Sequence, residues 1–158
     1  MRKSFVRNKL KKKVMNNTKD ILSKYKSIAM IGVSNDPTKA STIVMKYMQN
    51  YGYKVYPINP SAKGQKILGE EVFEKITDIK EPVEIVDVFR PSKEALEIAK
   101  DTIKIGAKVL WLQLGIKNPE AKLIVESNNI EYVEDRCTKM EYQKHFLKIR
   151  QAFPVLQN

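Results

Sequence analysis

The chain has a single cysteine, Cys137, and a single histidine, His145. One thiol forms no internal disulfide, and one imidazole beside it makes no zinc cluster. No apolar run approaches the roughly 18 residues that a membrane-spanning helix needs. The six glycines include no G-x-G-x-x-G, so the dinucleotide-binding fingerprint is missing. A reducing, cytoplasmic setting is the simplest expectation. The 158 residues suit one domain with a substantial core.

Acid is missing from the beginning of the chain. Residues 1–13 hold Arg2, Lys3, Arg7, Lys9, Lys11, Lys12 and Lys13 and neither Asp nor Glu. Seven of the eleven net positive charges therefore sit there, and the remaining +4 is spread over a surface of mixed sign. Such an arm could meet nucleic acid or an anionic membrane, or serve as a targeting segment. A disordered extension over residues 1–16 explains it as well, and Met15 directly precedes a credible helix start. Nucleic acid is thus not an expected partner. The domain is expected over residues 17–145, with 146–158 as a tail.

What is present is alternation. Asn17-Thr18-Lys19-Asp20 can cap a short helix to about Tyr25. Residues 28–33 are a near-continuous apolar run, the pattern of a strand buried on both faces of a parallel sheet. Ile43, Val44, Tyr47, Met48 and Tyr51 then recur at helical spacing, and Gly52 ends that helix. Residues 53–58 predict a second strand, and 72–76 a short helix. A third strand is expected over 83–89, followed by a helix capped by Ser92 with Ala95, Leu96, Ile98, Ala99 and Ile103 on its apolar face. Residues 107–114 predict a fourth strand, Asn118-Pro119 a helix start, and 131–133 a short fifth strand. The chain reads as helical again from Thr138 to about Arg150. This order predicts an α/β, Rossmann-like, doubly wound parallel sheet of about five strands in three αβα layers.

In such sheets ligands bind outside the carboxyl ends of the strands, where strand order reverses. After the first strand, Ser34, Thr38, Ser41 and Lys39 precede a helix, a reasonable phosphate cradle. Plain capping by Ser41 or Thr38 would explain the same residues. After the second strand an NAD site would place Asp or Glu for the ribose hydroxyls. Here stand Asn59, Pro60, Ser61 and Lys63, with no acid before Glu70. A lysine suits a ribose that carries phosphate, as in NADP or coenzyme A.

The ordered strand-end motifs decide which family the chain resembles. They are I-G-V-S at 31–34, Ser41, P-I-N-P-S-A-K-G at 57–64, I-L-G-E-E-V-F at 67–73, V-D-V-F-R-P at 86–91, W-L-Q-L-G-I at 111–116 and E-D-R-C at 134–137. Over about residues 17–145 the chain resembles the small stand-alone CoA-binding proteins, relatives of the CoA-binding domain of the succinyl-CoA synthetase alpha subunit. That resemblance implies a binding site for coenzyme A or an acyl-CoA. It implies Gly32, Ser34, Lys39 and Ser41 along the pyrophosphate, and Lys63 at the nucleotide phosphate. Phe89, Arg90 and Pro91 would wall the adenine and pantetheine channel, and Gln113 and Gly115 would lie near the pantetheine. Asn59 and Pro60 belong to the same binding motif. Ser41-Thr42-Ile43 departs from relatives that carry a bulkier residue and glycine after the loop serine.

No catalytic constellation is expected. The synthetase works through a phosphorylated histidine outside its CoA-binding domain, and this chain has only His145, in the tail. Asp87 and Glu84 read as structural, Asp135 and Arg136 as an ion pair. Trp111 reads as core and the Tyr47-Met48-Tyr51 face as packing. Cys137, flanked by Arg136 and Lys139, could exchange with the thiol of CoA as a thiolate. Non-catalytic CoA binding, with a protein partner or a second copy of the chain, is the leading expectation. An NADP-type oxidoreductase domain is the alternative.

Overall fold

The computed structural model describes residues 17–148. The basic segment 1–16 and residues 149–158 lie outside them, and with them the expected extension and most of the tail. Among the described residues no helix is long and apolar enough to cross a membrane.

Helix α1 covers 17–24 and leads into β1, Ser27–Ile31. Helix α2, Ala40–Asn50, connects β1 to β2, Lys54–Ile58. A hairpin of β3, Lys66–Ile67, and β4, Glu70–Glu71, precedes β5, Ile85–Val88. Helix α3, Ala95–Lys104, leads to β6, Val109–Leu112. Helix α4, Pro119–Ser127, leads to β7, Glu131–Val133. Helix α5, Thr138–Tyr142, runs on into a π-helical turn, Gln143–Leu147.

The five long strands form one sheet in the order β2-β1-β5-β6-β7, every pair parallel. The apolar runs make this possible because both faces are covered. Along β1, Ile28 and Met30 point to one cluster and Ala29 to the other; along β6, Val109 and Trp111 face one way, Leu110 and Leu112 the other. The first cluster packs under α1, α2 and α5 through Ile21, Leu22, Met45, Met48 and Cys137. The second packs under α3 and α4 through Ala95, Ala99, Ala121 and Val125. The result is the expected three-layer Rossmann-like fold. Each fully buried side chain of this kind contributes roughly 1.5–3 kcal/mol, so the sheet's central strands anchor the fold. Trp111 is core, and its indole N–H donates to the Arg136 carbonyl at 2.7 Å.

Some helix ends follow local chemistry. Asn118 accepts from the Ala121 N–H at 2.9 Å with Pro119 next, as the sequence indicates. Gly52, at φ 91°, follows α2, and Gly106, at φ 69°, follows α3.

Several local expectations are corrected. Residues 72–75 are not helical. The Val72 and Phe73 amides donate to the Gln65 and Pro57 carbonyls, extending a hairpin whose turn places Leu68 and Gly69 at positive φ. The first short helix there is a 3₁₀ turn at Ile76–Asp78. Ser92 does not cap α3. A 3₁₀ turn at Ser92–Glu94 comes first, and the Ser92 hydroxyl accepts instead from the Lys117 N–H. On α2, Ile43 and Tyr51 stay exposed; the buried stripe runs through Ser41, Thr42, Val44, Met45 and Met48. Asp135 and Arg136 do not pair. Asp135 accepts from the Gly115 N–H and faces Lys117, while Arg136 pairs with Glu141.

Candidate functional site

With strand order β2-β1-β5-β6, the connection from β1 runs to β2 on one side and that from β5 to β6 on the other, which makes the carboxyl ends of β1 and β5 the switch point. Gly32 closes it. Its φ is 92°, its N–H donates to the Ile58 carbonyl at 2.9 Å, and a Cβ there would sit 2.9 Å from the Phe89 carbonyl oxygen. Phe89 in turn donates its N–H to the Ile31 carbonyl at 2.8 Å. The exits of β1, β2 and β5 are thereby drawn together.

Beside them opens a cleft of about 680 Å³. Its apolar walls are Ile31, Ile58 and Ile98; Ser34 and Ser61 supply hydroxyls, and Arg90 and Lys93 supply cations. Of the residues expected to bind ligand, Gly32, Ser34, Asn59, Pro60 and Arg90 line this cleft. The loop after β1 is internally bonded. The Ser34 N–H donates to the Ser41 hydroxyl at 3.2 Å, the Thr42 hydroxyl donates to the Ser34 carbonyl at 2.6 Å, and the Asp36 N–H donates to the Ser34 hydroxyl at 3.1 Å. Neither Ser41 nor Thr38 caps α2. Lys39 occupies the cap position without a side-chain bond, so no capping side chain takes the first-turn amides. The Thr38 hydroxyl and amide hold the Asp36 carboxyl below its usual range.

Asn59 joins the two loops: its amide nitrogen donates to the Val33 carbonyl, and its oxygen accepts from the Ser61 N–H, both at 2.9 Å. Lys63 follows, exposed, with its ammonium 3.3 Å from Glu74. Glu74 lines the cleft and Lys63 does not. The acid absent from the end of β2 therefore arrives from the adjacent segment. Phe73 bridges in parallel to Ile58, which fixes Glu74 beside that strand end.

Other expected binding residues lie apart. Pro91 is exposed at the start of the 3₁₀ turn, and Phe89 packs against the core. Gly115 spends its N–H on Asp135 at 2.7 Å. Gln113 is buried: its amide donates to Asp87 at 2.6 Å and to the Thr138 hydroxyl at 3.0 Å, and Thr138 donates to the second Asp87 oxygen at 3.1 Å. Burial pushes the Asp87 carboxyl up to about 7, against the pull of these donors. Glu84 holds the Lys26 and Ser27 amides, so both acids have the structural roles expected of them.

Cys137 corrects the thiolate expectation. Burial pushes its thiol up; Lys139 and the first-turn amides of α5 pull the other way and lose. The Tyr47–Tyr51 pair stacks at 4.8 Å and Tyr142 joins it, which is packing.

The sequence reading missed the wall that the 3₁₀ turn and α3 give the cleft: Lys93 and Glu94 from the turn, Glu97 and Ile98 from the helix. The continuation of Arg90-Pro91 into a helix marks the segment, but the face it turns to the cleft is set by packing against the sheet. The three carboxylates of the cleft all have cation partners: Glu74 with Lys63, Glu94 with Arg90 at 2.9 Å, and Glu97 with Lys100 at 2.8 Å. The arrangement can enclose a flat apolar ring and meet anions at its rim.

A family model described as a CoA binding domain matches residues 26–143. The chain is 33% identical over 124 residues to the uncharacterized protein YneT of Bacillus subtilis (strain 168), covering 78% of this chain and 90% of that one. A solved structure from Thermus thermophilus shares 34% identity at a TM-score of 0.80, over 84% of this chain and 98% of the other. An ADP-forming acetate–CoA ligase of Methanocaldococcus jannaschii is 28% identical over 83 residues, which are 52% of this chain and 12% of the ligase. With the match spanning every strand of the sheet, the chain belongs to the CoA-binding domain family.

Proposed function

We propose that this domain binds coenzyme A or an acyl-CoA without transforming it. The observation that carries the reading is the cleft at the ends of β1, β2 and β5, in a chain whose fold matches the family from residue 26 to 143. Ile31, Ile58 and Ile98 offer the adenine an apolar slot. The uncapped start of α2 with Lys39 offers amides and a cation to the pyrophosphate. Lys63 stands where the ribose phosphate would emerge. Binding rather than catalysis is supported by the pairing of every cleft carboxylate with a cation. A general base needs a carboxylate free to reach a substrate proton. The acyl group would leave the cleft toward a protein partner or a second copy of the chain, in a cytoplasmic setting.

Calorimetry and thermal shift with CoA, dephospho-CoA, NADP and NAD test this on the full chain. CoA should bind above dephospho-CoA by about tenfold, the worth of one charge-assisted contact. Lys63→Ala should shrink that gap. Stabilisation by NADP and not by CoA would favour the oxidoreductase reading and sink this one.

A further inference from the structure

We propose that Glu74 is a specificity-determining residue of this cleft. Its carboxylate holds the ammonium that a ribose phosphate would otherwise engage, and so sets the preference between a phosphorylated and a free ribose. The proposal deepens the CoA reading and rests on it.

The geometry is specific. Lys63 Nζ lies 3.3 Å from Glu74 Oε2, and it is Glu74, not Lys63, that faces the cleft. The backbone fixes this arrangement, not side-chain chance. The Phe73 N–H donates to the Pro57 carbonyl at 3.0 Å, and the Asn59 N–H donates to the Phe73 carbonyl at 2.9 Å. Glu74, the next residue, is thus delivered to the mouth of the loop holding Asn59, Ser61 and Lys63. An incoming phosphate at Lys63 must share the ammonium with this carboxylate or displace it, and in either case lies beside a like charge at close range. A ligand whose ribose lacks phosphate meets no such competition.

The pair is half-exposed, with side-chain exposures of 66% and 42%, so its strength is that of a surface ion pair. Neutralising Glu74 should therefore tighten binding of a phosphorylated ribose about two- to fivefold. The experiment measures CoA and dephospho-CoA affinity for the wild type, Glu74→Gln, Glu71→Gln, and Glu74→Gln combined with Lys63→Ala. Glu71 is exposed on β4 outside the cleft, so its substitution makes the same change in net charge elsewhere.

Glu74→Gln should raise CoA affinity by that factor and leave dephospho-CoA unchanged. Glu71→Gln should change neither, and the gain should vanish without Lys63. An equal gain for both ligands, no gain, or a loss of dephospho-CoA binding would overturn the role of Glu74. The last result would make Glu74 an acceptor for ribose hydroxyls. Each of those outcomes leaves CoA binding itself standing. Failure of the wild type to bind CoA removes the underlying reading and this one with it.

Discussion

A Cβ placed on Gly32 would meet the Phe89 carbonyl oxygen at 2.9 Å, so the exits of β1 and β5 are packed backbone against backbone. Gly32 also sits at φ 92°, where an L side chain is strained. Both costs fall on one residue at the switch point. Gly32→Ala should therefore lose about 2–4 kcal/mol of unfolding free energy and weaken CoA binding together. Gly69 is the control. Its φ is 80°, but nothing lies within 4 Å of its would-be Cβ, so Gly69→Ala should lose only about 1–2 kcal/mol. Urea unfolding of the two variants separates clash from conformation. Equal losses would show that contact with Phe89 contributes nothing.

The strands were legible because burial on both faces leaves a continuous apolar run, as in Val109-Leu-Trp-Leu112 with all four residues buried. The β3–β4 hairpin was not. Its strands are two residues each, hold Lys66, Glu70 and Glu71, and have no apolar period to read. Within the cleft, the strand-end residues Gly32, Ser34, Asn59 and Arg90 could be named because the rule for parallel sheets points at them. The wall from α3 could not, since which helical face turns toward the cleft depends on how α3 packs against the sheet. Gln113 shows the same rule misdirecting. It follows β6 directly, yet turns inward to serve Asp87. A carboxylate in the middle of an apolar strand must find donors, and that requirement was the available signal.

Asp87 gives the fold a specific pH dependence. Its carboxyl is pushed up to about 7 by burial, against about 3.9 in an unfolded chain. The native state therefore binds this proton more tightly than the unfolded one. Its stabilising contribution is fully present below about pH 4, is lost as pH rises through about 7, and is constant above that. Asp87→Asn keeps an oxygen for the Gln113 amide and removes the titration. The difference in unfolding free energy between wild type and Asp87→Asn should thus shift by about 2–4 kcal/mol from pH 4 to pH 8, in favour of the variant at the higher pH. Denaturant titrations at four pH values measure it. A difference independent of pH would mean that the buried Gln113 and Thr138 donors outweigh burial and keep Asp87 ionised throughout.

Cys137 provides the last test, because an exchange reaction with the CoA thiol needs a thiolate that solvent can reach. The side chain is only 9% exposed, at the start of α5 against the core that holds Trp111 and Val133. Lys139 lowers its pKa as its sequence position suggests, but removal from water is the larger effect and the net direction is upward. Alkylation by iodoacetamide at pH 7.5 should therefore run at least about tenfold slower in the native protein than in denaturant. Its rate should still be rising with pH above 9. Saturating CoA should leave that rate unchanged, since Cys137 does not line the cleft. Native labelling as fast as in denaturant, with an onset below pH 8, would return the thiolate to consideration and make disulfide exchange with CoA the next reaction to assay.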